Sequence, residues 1–91
     1  MHLLKGITLR KMLGEWIAVP GGESALTVSG LLSMNETGAY LFHLLQSEQS
    51  EESLLQALLQ EYDVSEEQGL KDVRTFLDYL RRNELLVEET A

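Results

Sequence analysis

The chain has 91 residues, of which 44% are apolar and 24% are charged. This composition excludes a disordered chain and predicts one globular domain over residues 1–91, with one modest core. Fifteen acidic residues against seven basic ones give a formal net charge of −8, which disfavours nucleic acid and anionic lipid as partners, and the absence of cysteine excludes disulfides and thiolate chemistry.

No segment of the sequence predicts export or membrane insertion. The opening ten residues (MHLLKGITLR) contain too short an apolar run for a secretory signal. No later stretch approaches the roughly 20 apolar residues that a membrane span needs. We therefore expect a cytoplasmic protein without membrane contact.

The first part of the chain, from about residue 5 to residue 34, has the pattern of short strands. Residues 7–10 (ITLR) alternate between apolar and polar side chains, as a half-buried strand does. Residues 16–19 (WIAV) form a β-prone run that ends at Pro20. We expect these strands to form a small antiparallel sheet.

Two more β-prone runs, residues 25–28 and 31–34, flank Ser29-Gly30 and predict a hairpin. Its register stays open by one residue, and a slip of one residue would exchange the two faces. The second run carries no charge and no proline, which are two of the usual protections of an edge strand. Such an edge is open to pairing with another chain.

After Asn35 the apolar spacing lengthens to three or four residues, which predicts helices. Asn35 is the expected N-cap of the first helix, and Ser65 with Gln68 has the capping-box spacing at the start of the third. The three helices are predicted at about residues 35–47, 50–62 and 65–82.

Residues 84–88 then predict a short extended tail. Strands followed by helices define an α+β fold, in which the sheet packs on one side of a three-helix cluster.

The sequence contains no convincing catalytic or metal-binding pattern. Of the two histidines, His2 belongs to a terminus that we expect to fray, and His43 lies among apolar residues of the first helix, where a packing or surface role is expected. Gly21-Gly22 lacks the lysine and the spacing of a phosphate-binding loop. We expect no enzyme activity, no cofactor and no metal.

One line along the third helix stands apart from its apolar stripe. Arg74, Asp78 and Arg81 recur at intervals of four and three residues, next to Leu77. The simplest interpretation is a solvated face with local ion pairs, which contribute little stability. A binding face is the alternative.

Three segments of the sequence, GLLSMNETGA (residues 30–39), LLQALLQEYDV (54–64) and DVRTFLDYLRRNELL (72–86), together resemble the PqqD family. Residues 30–39 (GLLSMNETGA) resemble its LN-E-T-(G/A)-A junction, with methionine where leucine is more usual. Residues 54–64 (LLQALLQEYDV) look like its second helix, and residues 72–86 are similar to its closing D-V-x-x-F-L-x-x-L-x-x-x-G-L-L pattern. Phe42 stands where tryptophan is frequent, and this change is conservative. The resemblance covers nearly the whole chain.

The resemblance implies a winged helix-turn-helix-like fold, with a three-stranded antiparallel sheet before three helices. It also implies a recognition element for ribosomally made, post-translationally modified peptides (a RiPP recognition element). Such a domain binds the leader of a precursor peptide as an added strand and presents the rest to a separate modifying enzyme, often a radical SAM protein. The implied peptide-binding residues are Leu31, Leu32, Ser33, Met34, Arg74, Leu77, Asp78 and Arg81.

Two other functions stay open at this point. A winged-helix regulator would read DNA with the third helix, although neighbouring acids nearly cancel its Lys71, Arg74, Arg81 and Arg82. A structural dimerisation module is the second alternative, and the sequence leaves open whether a homodimer forms. The sequence identifies neither the precursor nor its pathway, which is PQQ or another modified peptide.

Overall fold

The protein is described by a computed structural model that covers residues 1–19, 21 and 32–88. A three-stranded antiparallel sheet and three helices confirm the predicted α+β class. The strand predicted at residues 25–28 and the hairpin predicted at Ser29-Gly30 lie outside the described residues. The elements, in chain order, are β1 (His2–Leu3), β2 (Thr8–Met12), β3 (Glu15–Val19), β4 (Leu32–Met34), α1 (Glu36–Leu44), α2 (Glu51–Glu61), α3 (Glu66–Arg82) and β5 (Leu86–Val87).

The sheet has the order β2-β3-β4, and β3 lies in its centre. β2 and β3 are joined by the two-residue turn Leu13-Gly14, and both residues have positive φ, 52° and 83°. A type I′ turn needs this conformation, because its twist matches that of the paired strands. Glycine adopts it freely, whereas Leu13 adopts it at a cost of about 1–2 kcal/mol.

Each helix begins at a side-chain cap. The Asn35 Oδ1 accepts a hydrogen bond from the Gly38 N–H at 2.8 Å, as predicted. Ser65 accepts from the Gln68 N–H, but the Gln68 side chain donates to Asp72 instead of closing the predicted capping box. The reciprocal box is at α2, where Ser50 and Ser53 bond each other's backbone N–H groups.

One apolar core lies between the three helices and the inner face of the sheet. Leu54 and Leu58 of α2 meet Val73 and Leu80 of α3 there, and all four are fully buried. The sheet contributes Ala18, from its central strand β3. Truncating a leucine in such a core to alanine costs about 2–5 kcal/mol.

The two chain ends pair with each other, which corrects the expectation of a frayed start. β1 and β5 form a second, two-stranded antiparallel sheet, so the tail is anchored on the N-terminal segment. The Met1 ammonium donates to the Gln49 carbonyl at 2.9 Å and lies 2.7 Å from the Glu48 carboxylate. Strands of two residues have too short a pattern to be recognised in a sequence.

Candidate functional site

Among the residues that the structure describes, β4 is an edge strand with one open side. It pairs with β3 through Trp16↔Met34, Ile17↔Ser33 and Ala18↔Leu32. Across residues 1–19, 21 and 32–88, no strand pairs with its other side, and the tail strand β5 pairs with β1 instead. The tail therefore does not cover this edge.

The register decides which backbone groups of β4 face outward. In a two-residue hairpin the pair next to the turn is hydrogen bonded, and the backbone groups of β3 then point alternately to β2 and to β4. Trp16 and Ala18 therefore bond β4. Ser33, opposite Ile17, directs both its N–H and its C=O to the open side.

A groove of about 330 Å³ runs between the open side of β4 and helix α3. The first turns of α1 close it at one end. On α3 its lining follows the spacing i, i+3, i+4, i+7, so a single face of the helix forms this wall. The described residues that line it are Ser33, Met34, Asn35, Thr37, Gly38, Leu41, Asp72, Thr75, Phe76 and Tyr79.

The floor of the groove is apolar and closely packed. Phe76 is buried at 9% exposure, and Leu41 beneath it is buried as well. A Cβ added at Gly38 would lie 3.1 Å from the Met34 Cβ and 3.2 Å from the Phe76 ring, so only the absence of a side chain lets α1 come this near. The floor offers an incoming apolar side chain a preformed contact.

Tyr79 crosses the groove. Its hydroxyl donates a hydrogen bond to the Ser33 carbonyl at 3.1 Å, which agrees with the outward orientation of that carbonyl. Its ring lies beside that of Phe76, with the centroids 6.4 Å apart. Burial raises the pKa of the Tyr79 phenol, so the hydroxyl stays protonated and able to donate at neutral pH.

The hairpin end of the sheet carries a second cavity, of about 450 Å³, which shares three lining residues with the groove. Lys11 Nζ lies there 3.2 Å from Glu36 Oε1 and 5.4 Å from the Trp16 ring centroid. The Trp16 indole N–H and then Lys11 lower the pKa of the Glu36 carboxyl. Trp16 Nε1 is buried, yet it reaches no acceptor in full hydrogen-bond geometry among the described residues.

The residues predicted for peptide binding fall in two places. Ser33 and Met34 line the groove, and Leu32 packs against the core beside them. Leu31 lies outside the described residues. None of the four predicted residues of α3 lines the groove, since they lie on other faces of the helix: Arg74, Leu77, Asp78 and Arg81.

The three charged members of that second group all take part in ion pairs. Arg74 Nε lies 2.6 Å from Glu51 Oε1, at the start of α2. Arg81 bonds Asp78 and Glu88, at 3.0 and 2.6 Å, and these bonds, that of Glu88 first, raise the pKa of the guanidinium. Leu77, at 1% exposure, belongs to the core.

Sequence reasoning missed the helix residues that do line the groove. Asp72, Thr75, Phe76 and Tyr79 share the face of α3 that looks toward the sheet. The signal was present, because two aromatic residues spaced three apart beside a leucine stripe widen the apolar face of a helix. Both Phe76 and Leu77 are buried, so the buried face of the helix is wider than its leucines alone indicate.

No cluster of three or more histidine, aspartate or glutamate side chains that could hold a metal occurs in the described ranges. Within the same residues, no helix is long and apolar enough to cross a membrane.

The chain belongs to the PqqD family. The sequence model of that family, described as Coenzyme PQQ synthesis protein D (PqqD), matches residues 20–86, which is most of the chain. This match confirms the resemblance read from the three sequence segments. No curated protein matches the chain significantly.

Two solved structures have a similar fold. One is TbiB1 in complex with the TbiA(beta) leader peptide, with a TM-score of 0.74 and 20% identity over 100% of both chains. The other is lasso peptide synthetase B1 complexed with the leader peptide, with a TM-score of 0.70 and 18% identity over 96% of both chains. At this level of identity the likeness shows a shared fold.

Proposed function

We propose that this domain binds the leader of a ribosomally made precursor peptide as an added antiparallel strand on β4. It then presents the rest of the peptide to a separate modifying enzyme, which in the family is often a radical SAM protein. One observation carries the proposal: the outward N–H and C=O of Ser33 stand beside an apolar groove that has room for side chains.

In strand addition, backbone hydrogen bonds supply affinity and side-chain contacts supply selectivity. Two backbone hydrogen bonds to Ser33 can hold any peptide that adopts an extended conformation, because they involve no side chain of the peptide. The groove then takes alternate side chains of the bound strand, and its floor of Met34, Leu41 and Phe76 favours an apolar one. Leu32 flanks this contact, whereas Leu31, outside the described residues, stays a prediction.

Binding has to displace an internal contact. The Tyr79 hydroxyl occupies the Ser33 carbonyl, which is the acceptor that the incoming strand needs. The exchange of one hydrogen bond for another contributes little net free energy, and the disordered leader loses chain entropy as it docks. We expect a dissociation constant on the order of 1 μM.

On α3, the proposal relies on Asp72, Thr75, Phe76 and Tyr79 for groove contacts. Arg74, Asp78 and Arg81 stay predictions, as contacts for parts of a peptide that extend beyond the groove. Leu77 would act only by supporting the wall from the core. The two solved structures of similar fold support the proposal, because each is named as a complex with a leader peptide.

The test needs a peptide and two variants of Ser33. Random peptides of about 12 residues, displayed on their mRNA, are selected for binding to the full chain, which supplies a ligand without knowledge of the precursor. Ser33→Pro removes the outward N–H and is expected to abolish binding, while circular dichroism stays near that of the wild type. Ser33→Ala keeps the N–H and is expected to bind within about twofold. Equal binding by both variants in calorimetry would contradict the proposal.

A further inference from the structure

Asp72 is the one carboxylate among the described residues that line the groove, and none of those residues is basic. Its Oδ1 accepts a hydrogen bond from the Gln68 amide at 2.8 Å. Within the described part of the chain, no lysine, arginine or histidine nitrogen lies within ion-pair distance of it. The groove wall therefore carries one negative charge that is oriented but not neutralised.

The surroundings of Asp72 strengthen its electrostatic interaction with a bound peptide. It is half-buried, one helical turn from Phe76, so water screens it less than it screens a fully exposed carboxylate. Two of the three arginines of the same helix are already paired, Arg74 with Glu51 and Arg81 with Asp78 and Glu88. Since no basic side chain of the described residues pairs with Asp72, a basic side chain of a bound peptide could be its partner.

We propose that Asp72 makes the groove selective for leaders that carry a lysine or arginine next to the apolar residue on the groove floor. The inference rests on the proposed function. A bound strand on β4 runs between Ser33 and Asp72, so one of its side chains faces this carboxylate. An acidic side chain at the same position is repelled, and the net charge of −8 also favours the approach of a basic peptide.

The experiment repeats the display selection on matched forms of the full chain. Asp72→Asn removes the charge with little change of shape, and Asp72→Arg reverses it. Glu67→Gln removes one charge from the same helix at an exposed position that does not line the groove, and serves as the control. Ser33→Pro is selected in parallel, and thermal unfolding establishes that each variant is folded.

The wild type and Glu67→Gln are expected to enrich one motif, with a basic residue at a fixed distance from an apolar one. Asp72→Asn is expected to lose the basic preference and to bind the wild-type motif about three- to tenfold more weakly. Asp72→Arg is expected to enrich an acidic residue at that position.

A motif without a basic residue, or one that Asp72→Asn still enriches unchanged, would overturn the charge selection while leaving strand addition intact. Recovery of the same motif by Ser33→Pro would overturn both, because the peptides would then bind elsewhere.

Discussion

The two edges of the three-stranded sheet differ in chemistry and in surroundings. β2 exposes Arg10 and Lys11 on one edge and ends in a turn whose Leu13 is fully exposed, at 103%. β4, on the other edge, carries no charge and stands beside a groove with an apolar floor. Charged side chains along an edge oppose pairing with another strand. The same sheet therefore has one edge that charged side chains protect from pairing, β2, and one edge that is open to pairing, β4.

The charged side chains of β2 also disfavour self-association through that strand. Antiparallel pairing of two copies along β2 would bring their Arg10 and Lys11 side chains together, and like charges opposite one another are destabilising. Lys11 is further held by Glu36 and by the Trp16 ring, so its position is defined. Whether a homodimer forms, which the sequence left open, stays a prediction, and β2 is the less favourable edge for it.

The largest expected effect comes from one proline on each edge. Ser33→Pro is expected to weaken binding of the selected peptide by about 100-fold or more, since it removes a hydrogen bond and obstructs the approach of the strand. By the hairpin register, the Lys11 N–H faces outward on β2. Lys11→Pro is therefore expected to bind within about twofold, as measured by calorimetry. Similar losses in both variants would break the comparison between the edges.

A bulky side chain placed on α3 tests which face of the helix contacts the peptide: the groove wall, or the face of Arg74 that the sequence predicted. Thr75→Trp is expected to fill the groove and to weaken binding about tenfold, because the visiting side chains lose their space. Arg74→Trp places the same ring on a neighbouring face, away from the groove, and is expected to change affinity by less than about twofold. A larger effect at position 74 than at position 75 would favour the sequence-based face over the groove wall.

Removal of the Tyr79 hydroxyl sharpens the account of β4. In Tyr79→Phe the Ser33 carbonyl loses its internal donor, so the incoming strand no longer competes for it. Affinity is expected to rise about two- to tenfold, the range of one net hydrogen bond. Tyr40→Phe, which removes a hydroxyl that bonds the Ala57 carbonyl, is the control. Weaker binding in Tyr79→Phe would mean that the hydroxyl donates to the peptide instead.

The smallest expected effect is on the stability of the fold at acidic pH, through Glu36, which contacts Lys11 of β2. The Trp16 N–H and Lys11 lower the folded-state pKa of Glu36, so its contribution is present above the unfolded pKa and is lost as pH falls through the folded pKa. The melting temperature is therefore expected to fall between about pH 5 and pH 3 by less in Glu36→Gln than in the wild type. Glu67→Gln is expected to follow the wild type. An unchanged pH profile in Glu36→Gln would contradict the interactions of Glu36 with Trp16 and Lys11.

The main elements of the fold follow from local sequence signals. Asn35 and Ser65 are recognisable caps because a side-chain oxygen must satisfy the first backbone N–H groups of a helix. The uncharged run before Asn35 indicated an exposed strand edge by composition alone. The two terminal strands could not be predicted, since they exist only through pairing across the fold between β1 and β5.

The rotation of α3 is the part of the site that the sequence did not determine. Leucine spacing defines the centre of a buried stripe, but not how far the sheet extends it around the helix. Phe76 and Tyr79 become groove residues because β4 lies against their side of α3, and that placement depends on the whole topology. The arginines of the other faces were visible in the sequence, whereas their pairing with Glu51 and Glu88 depends on packing.

Hydrogen exchange of the Ser33 amide tests the central claim most directly. In the empty domain this N–H faces the open side of β4 and is expected to exchange rapidly. With the selected peptide bound, the Ser33 amide is expected to become protected, while the outward amide of Lys11 on β2 keeps its rate. Saturating peptide that leaves the Ser33 amide unprotected would contradict strand addition on this edge.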